Sequence, residues 1–314
     1  MKIVMLDGAL ANQITQYIFS RCLEIATKDV VYLDDSWFYL RHDTLAEQWQ
    51  GIENHQYQMF KFPNAKPNLV SNYFEPEVWE EILGIARQRA PLRGGSHLPQ
   101  ILLESGMNLA MVAEVPSFNG LYSGSVVSIP YYYYMPKLLN CQGSLYFWGY
   151  FTNAGWFKSH RETFMHELWL PEPQQDTDKE MVRQIETTYS VGVHVRLGSY
   201  AETGISHPPE YYKNALQEVL REHDSKKPHF FIFSDEIEYC KEHAREYGFD
   251  TLSRVTYCAS NRTEQDNQVD MQLMSRCKGL ILCRSVYGFM AHLLSQQSDQ
   301  WAIESHGTRR TTIP

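Results

Sequence analysis

Short apolar runs and apolar stripes at helical spacing take turns along this chain, and their order sets the first expectations. Residues 2–6 are a short apolar run, the pattern of a buried strand, and residues 7–13 follow as a polar loop. Ile14, Ile18, Cys22 and Ile25 then fall on one side of a helix running to Thr27, and a second run at 30–33 stops at Asp34 and Asp35. Strand, loop, helix and strand in that order open a doubly wound sheet. Between 45 and 136 the rhythm is irregular and predicts helical pieces, a helix around 75–89, a Pro/Gly loop at 91–99 and a run of tyrosines at 131–134. A strand is predicted at 144–150 and a helical passage at 153–169. The polar, proline-bearing stretch 171–178 has no apolar period and reads as a linker.

A second α/β series follows the linker. It predicts a helix at 179–188, a strand at 191–196, a helix at 210–222 started by Pro208 and Pro209, and a strand at 229–233 ended by Ser234, Asp235 and Glu236. Helices at 237–247 and 270–277, a buried strand at 279–283 with Arg284 and Ser285 at its end, and a helix at 287–294 complete the series. The tail at Arg309 and Arg310 reads as mobile. The richest stretch is 190–200, SVGVHVRLGSY. Val191, Val193 and Val195 alternate with Gly192, His194 and Arg196, so His194 and Arg196 share one face at a strand end. Ligands of α/β proteins gather outside the carboxyl ends of strands, and the planar fork of an arginine suits a phosphate. A surface arginine beside a hydrogen-bonded histidine would leave the same pattern, so both readings stand at this point.

Length and composition add bounds. At 314 residues the chain suits two domains of about 150 residues each. The content of 43% hydrophobic and 21% charged residues is that of a soluble globular protein. A net charge of −9 argues against a nucleic-acid binder, which needs clustered Lys and Arg, but leaves room for a local basic pocket. The 20 tyrosines fit either aromatic core packing or sugar-stacking clefts. Six scattered cysteines without C-x-x-C spacing read as reduced core residues of a cytoplasmic protein. There is no signal-peptide pattern and no apolar run of about 18 residues, so no transmembrane segment is expected, while attachment at a membrane surface stays open.

Polar residues close four predicted strands: Asp7 to Gln13, His194 with Arg196, Ser234 with Asp235, and Arg284 with Ser285. Arg196 and Arg284 could bind a diphosphate, with Ser285 and the amides of the following helix as further donors, and Asp235 could accept from a ribose or base. Residues 8–13 carry one glycine where a dinucleotide fingerprint needs three, which argues against nicotinamide or flavin. Asp34 and Asp35 read as capping or solvated carboxylates before they read as a metal pair, and no histidine spacing matches a metal motif.

Taken together, these pieces resemble the α-1,2-fucosyltransferases of glycosyltransferase family 11. The family's G-G-L-G-N-Q loop stands here as Gly8-Ala9-Leu10-Ala11-Asn12-Gln13, and its H-x-R-R-G-D-Y as His194-Val195-Arg196-Leu197-Gly198-Ser199-Tyr200. Its Y-Y-x-x-A helix matches Tyr211-Tyr212-Lys213-Asn214-Ala215, its F-F-I-F-S-D-D strand matches residues 230–236, and its D-x-x-L-M-S-x-C-K matches residues 270–278. The matches keep their order up to about residue 295. Leu197 replaces the second arginine, Ser199 the aspartate, and Arg284 the asparagine of the family's I-I-A-N-S segment, while Ser285 is kept. These departures bear on the α-1,2 linkage, the acceptor and fucose itself.

The resemblance implies an α/β protein of the GT-B type, two Rossmann-like domains facing across a cleft. Residues 1–170 would form the acceptor-side domain and 171–314 the nucleotide-sugar domain. It implies inverting, metal-independent transfer from GDP-fucose to a hydroxyl of an oligosaccharide or lipid-linked glycan, with no cofactor. Arg196 would stabilise the leaving GDP, aided by Arg284 and Ser285. Asn12, Gln13, His194 and Asp235 complete the expected substrate contacts, and Asp7 and Glu202 are the candidate bases. A transferase using another GDP-sugar, and a non-catalytic glycan- or nucleotide-binding protein, are the alternatives.

Overall fold

The computed structural model describes residues 1–40, 55–90, 92, 94–115, 120–198, 201, 204–258, 264–297, 299–304 and 310–312. The chain divides into two compact units, Met1–Trp169 and Leu170–Pro314.

The first unit is built on a six-stranded sheet. Its strands are β1 (Lys2–Met5), β2 (Val31–Asp34), β3 (Asn68–Leu69), β4 (Ala110–Val115), β5 (Val126–Pro130) and β6 (Leu145–Trp148). They lie in the order β3-β2-β1-β6-β4-β5, and every pairing is parallel. The helix Leu10–Thr27 joins β1 to β2 and buries Ile14, Ile18 and Cys22, three of the four residues its periodicity assigned to one side. On one face of the sheet, Ile3, Met5, Met111, Tyr146 and Trp148 pack with Trp79, Ile82 and Leu83 of the helix Pro76–Arg87.

The second unit has its own six-stranded sheet of β7 (Ser190–Val195), β8 (His229–Ser234), β9 (Val255–Tyr257), β10 (Gly279–Ile281), β11 (Trp301–Ile303) and β12 (Arg310–Thr312). The order is β12-β11-β10-β7-β8-β9, parallel except for the antiparallel β11–β12 pair. Because β7 is central, every one of its residues is buried, as both faces of a parallel sheet usually are. Val191, Val193 and Val195 pack beside Tyr212, Ala215, Leu216 and Val219 of the helix Pro209–His223, each fully buried valine stabilising by about 1.5–3 kcal/mol.

Each unit therefore has a point where the strand order reverses, between β1 and β6 in the first and between β7 and β10 in the second. Such reversals leave a crevice at the carboxyl ends of the two strands.

Several expectations need correction. The irregular region holds β4 and β5, which were expected as helical pieces; a short run such as AMVAEV, apolar but for Glu114, carries no period that separates strand from helix. The strands β9 and β11 are too short to show a period. The expected helix at 237–247 is broken into Ile237–Glu242 and Ala244–Tyr247. The tail is not free: Arg310–Thr312 pairs with β11, and these ladder hydrogen bonds hold it, while Arg309 lies outside the described residues. All six cysteines are free thiols. No helix among the described residues is long and apolar enough to cross a membrane.

Candidate active site

The reversal point of the second unit collects the residues that the sequence motif had put forward. His194 lies near the end of β7, Arg196 just beyond it, and Cys283, Arg284 and Ser285 follow the neighbouring β10. Arg196 donates from Nη1 to Asp235 Oδ2 at 2.8 Å, and the amide of Leu197 donates to Asp235 Oδ1 at 2.9 Å. Asp235 follows β8, which pairs with β7 and brings Val195 beside Ser234. Gly198 completes the turn at φ +34°, and a Cβ there would sit 2.6 Å from Asp235 Oδ2, so only glycine lets the carboxylate reach its partners. The two side chains of the pair are 29% and 22% exposed. An ion pair that open contributes about 0–1 kcal/mol, so the guanidinium can exchange Asp235 for a diphosphate at small cost. Asp235, put forward for a ribose or base contact, here holds both Arg196 and the Leu197 amide.

Leu197, at the family's second arginine, turns into the core with Tyr212 and Val195. His194 is buried, with Nδ1 3.3 Å from Cys283 Sγ and its ring against that of Tyr287. A Cβ on Gly288 would come within 2.6 Å of that Nδ1. Burial, reinforced by the Arg196 charge, lowers the His194 pKa to about 3. The imidazole is therefore neutral near pH 7 and is no general acid. It forms part of the floor under Arg196. The thiol of Cys283 is pushed up to about 12 by burial and is inert as a nucleophile.

This has a consequence for stability. A group held neutral in the fold with an unfolded value of 6.5 contributes stability above that pH, and loses it as pH falls toward about 3. Thermal unfolding followed from pH 7 to pH 4 is expected to show a component approaching about 1.4 kcal/mol per pH unit from His194. The variant His194→Gln should show a shallower acid slope; an identical slope in both proteins would remove His194 from the account.

Ser285 caps the helix Val286–Leu293, its Oγ accepting from the Tyr287 amide at 3.3 Å, and Arg284 is exposed beside it. Two tyrosines whose structural role the motif comparison did not reveal brace this region. Tyr211 Oη donates to the Leu282 carbonyl at 2.6 Å, and Tyr287 Oη joins the Met271 amide and the Asn267 carbonyl. Glu202 lies outside the described residues.

In the first unit the residues after β1 are mostly committed to the fold. Asp7 is 1% exposed and accepts from the Gly95 amide at 2.6 Å and from Gln16 Nε2 at 3.1 Å. Burial, with a smaller push from Asp34, raises its pKa. A raised pKa suits a base, but this carboxylate meets an acceptor hydroxyl only if the Gly94–Gly95 segment moves off it. Gln13 is one of these committed residues. It is wholly buried, donates to the Gly8 and Gln56 carbonyls at 2.8 Å each, and accepts from the Gln58 amide. Its amide ties two loops together. Asn12 is half-buried and lies against Gly8, where φ is +72° and a Cβ would sit 2.7 Å from Asn12 Nδ2. Asp34 and Asp35 are buried, not solvated, and accept from Ser36 and Tyr146 and from Ser71 respectively.

With this geometry in place, comparison with known proteins places the chain. The model of the family described as Glycosyl transferase family 11 matches residues 128–304. The α-1,2-colitosyltransferase of Escherichia coli is 32% identical over 155 residues, a match spanning 47% of this chain and only half of that relative's length. The O-antigen biosynthesis glycosyltransferase WbnK, also from Escherichia coli, is 22% identical over 317 positions covering 95% of this chain and 91% of that one. Among solved structures, the fucosyltransferase NodZ from Bradyrhizobium aligns over 99% of this chain and 98% of its own, with a TM-score of 0.44 and 13% identity. The ADP-heptose heptosyltransferase II of Escherichia coli aligns over 96% and 90% with a TM-score of 0.40 and 12% identity. The family match extends over more than half of the chain and takes in β7 to β11 with Arg196, Asp235 and Ser285, and two Rossmann-like units in succession are the GT-B build. The chain belongs to glycosyltransferase family 11.

Proposed function

We propose that the protein transfers fucose, or a closely related deoxy sugar, from a GDP-sugar to a hydroxyl of a glycan acceptor, with inversion and without a metal. The observation that carries this reading is Arg196, partly exposed at the strand-order reversal of the second unit and aimed by Asp235. The acceptor oxygen attacks the anomeric carbon as the bond from that carbon to the β-phosphate oxygen breaks. GDP departs with its electron pair, and the acceptor hydroxyl gives up its proton. Negative charge grows on the diphosphate, and Arg196, exchanging Asp235 for a phosphate oxygen, meets it with a preorganised donor. Arg284 and the capped amino end of the helix Val286–Leu293 add to this electrostatic floor. Glu202 stands as the candidate base, with Asp7 second. The similarity to an O-antigen biosynthesis enzyme supports a surface-polysaccharide glycan as acceptor, taken up in the cytoplasm or at a membrane surface.

A second donor is favoured by one observation. The 32% identity to a protein named a colitosyltransferase supports colitose, the 3-deoxy analogue of fucose, as the transferred sugar. Thermal shift with GDP-fucose, GDP-colitose, UDP-galactose and CMP-sialic acid tests both. A ligand at 100 times its Kd stabilises by about 2.7 kcal/mol, so the preferred donor is expected to raise Tm clearly. Equal shifts with UDP- or CMP-sugars would overturn the GDP assignment. Hydrolysis of the donor without acceptor separates an enzyme from a binding protein.

A further inference from the structure

The first unit carries an aromatic feature that the donor site does not use. Tyr132, Tyr133 and Tyr134 are 51%, 65% and 38% exposed, beyond the carboxyl end of β5 and after Tyr131, whose ring packs on that of Tyr132. Among the described residues most large aromatic side chains are buried or half-buried, so three successive exposed rings stand out. Their backbone is fixed from within. Glu114, on the adjacent β4, is buried, and its carboxylate accepts from the amides of Tyr150 and Phe151 at 2.8 and 2.9 Å and from the backbone of Tyr132. Tyr132 and Phe151 both have positive φ, at 65° and 51°, a conformation that bulky residues rarely adopt. Such outliers persist where the surroundings over-determine them and gather at ligand sites. Asn153 Nδ2 donates to the Tyr132 carbonyl at 2.7 Å, and Tyr134 lies edge-on against Trp156. A buried carboxylate, two positive-φ aromatics and an asparagine thus hold the segment that displays Tyr132 and Tyr133.

We propose that Tyr132 and Tyr133 form a stacking platform for a pyranose ring of the glycan acceptor. The reading rests on the glycosyltransferase function above. It follows from the chemistry of the rings: an aromatic face meets the C–H face of a sugar, and the phenol offers a hydrogen bond at the rim. A rigidly held platform lowers the ordering cost of binding a flexible glycan. Val115 and Val127 are also exposed on the same two strands, so a lipid surface is the rival occupant that the experiment must separate.

The test compares the parent with Tyr133→Ala and Tyr133→Trp, because Tyr133 has an ordinary φ and its replacement leaves the Glu114 bonds intact. Saturation-transfer NMR and titration with lactose and a galactose-terminated tetrasaccharide read the platform without any donor. Tyr133→Ala is expected to weaken glycan binding and raise the acceptor KM about tenfold, or about 1.4 kcal/mol. It should leave kcat and the GDP-sugar thermal shift unchanged, and Tyr133→Trp should keep parental binding. Parental glycan affinity in Tyr133→Ala, or a parent that binds neither sugar, overturns the platform. So does loss of sedimentation with phosphatidylethanolamine–phosphatidylglycerol vesicles while glycan binding is intact. A GDP-sugar that neither binds nor turns over overturns the donor reading alone, since the NMR measurement does not depend on it.

Discussion

Replacing Arg196 with alanine is expected to lower kcat for transfer from the GDP-sugar by a factor of about 10² to 10³ while leaving the fold in place. The rate loss follows from where charge appears. In the proposed reaction, breaking the sugar–phosphate bond places electrons on the departing diphosphate, and β7 delivers Arg196 to the crevice between β7 and β10. The expected integrity of the fold follows from exposure. The Arg196–Asp235 pair is open to solvent, and pairs of that kind contribute about 0–1 kcal/mol. Asp235 also keeps its bond from the Leu197 amide when the guanidinium is gone. Unfolding should therefore shift by only a few degrees, as about 1 kcal/mol does in a protein of this size. Arg196→Lys should recover part of the rate, because a lysine restores the charge but not the fork. Steady-state kinetics with the donor that the thermal shifts select is the measurement. Parental kcat in a well-folded Arg196→Ala protein would remove Arg196 from the mechanism.

The largest effect on stability is expected at Gly279. This residue opens β10, between β7 and β11, and a Cβ there would lie 2.1 Å from Trp301 Cζ2 and 2.2 Å from Cε2, inside the indole. The ring has no easy retreat. Its Nε1 donates to Tyr189 Oη at 3.2 Å, and its face is stacked on His223. Overpacking typically costs about 1–3 kcal/mol, and a clash against a pinned aromatic in a central sheet belongs at the upper end. Gly279→Ala should lower Tm by roughly 10 °C, since each kcal/mol moves a unit of about 150 residues by about 2–4 °C. Gly84 is the control. It lies within the helix Pro76–Arg87 with nothing within 4 Å of an added Cβ, so Gly84→Ala should be neutral or stabilising by about 0.5–1 kcal/mol. Differential scanning calorimetry of the two variants checks both directions. A Gly279→Ala protein with the parental Tm would show that Trp301 can move.

The β-loop-α-β opening and the strand–helix order of the second half were legible in the chain because period and punctuation agree there. The apolar runs at β1, β7, β8 and β10 each end at polar residues, and Pro208 and Pro209 mark a helix start. The strands β4, β5, β9, β11 and β12 were not legible. Three of the five span only three residues, too few for an alternation to show, and the run at β4 fits a helix as well as a strand.

What the sequence determined by itself was the strand end at His194 and Arg196 and the family to which its neighbours point, because spacing along a strand is local. Only the tertiary structure decided what each side chain does there. It paired Asp235 with Arg196, gave Gln13 to two loops, enclosed Asp7, and packed Leu197 into the core. Those outcomes depend on residues far apart in the chain, such as Asp7 with Gly95 and His194 with Cys283. Burial and hydrogen-bond partners are set when strands and helices meet, and no local pattern records them.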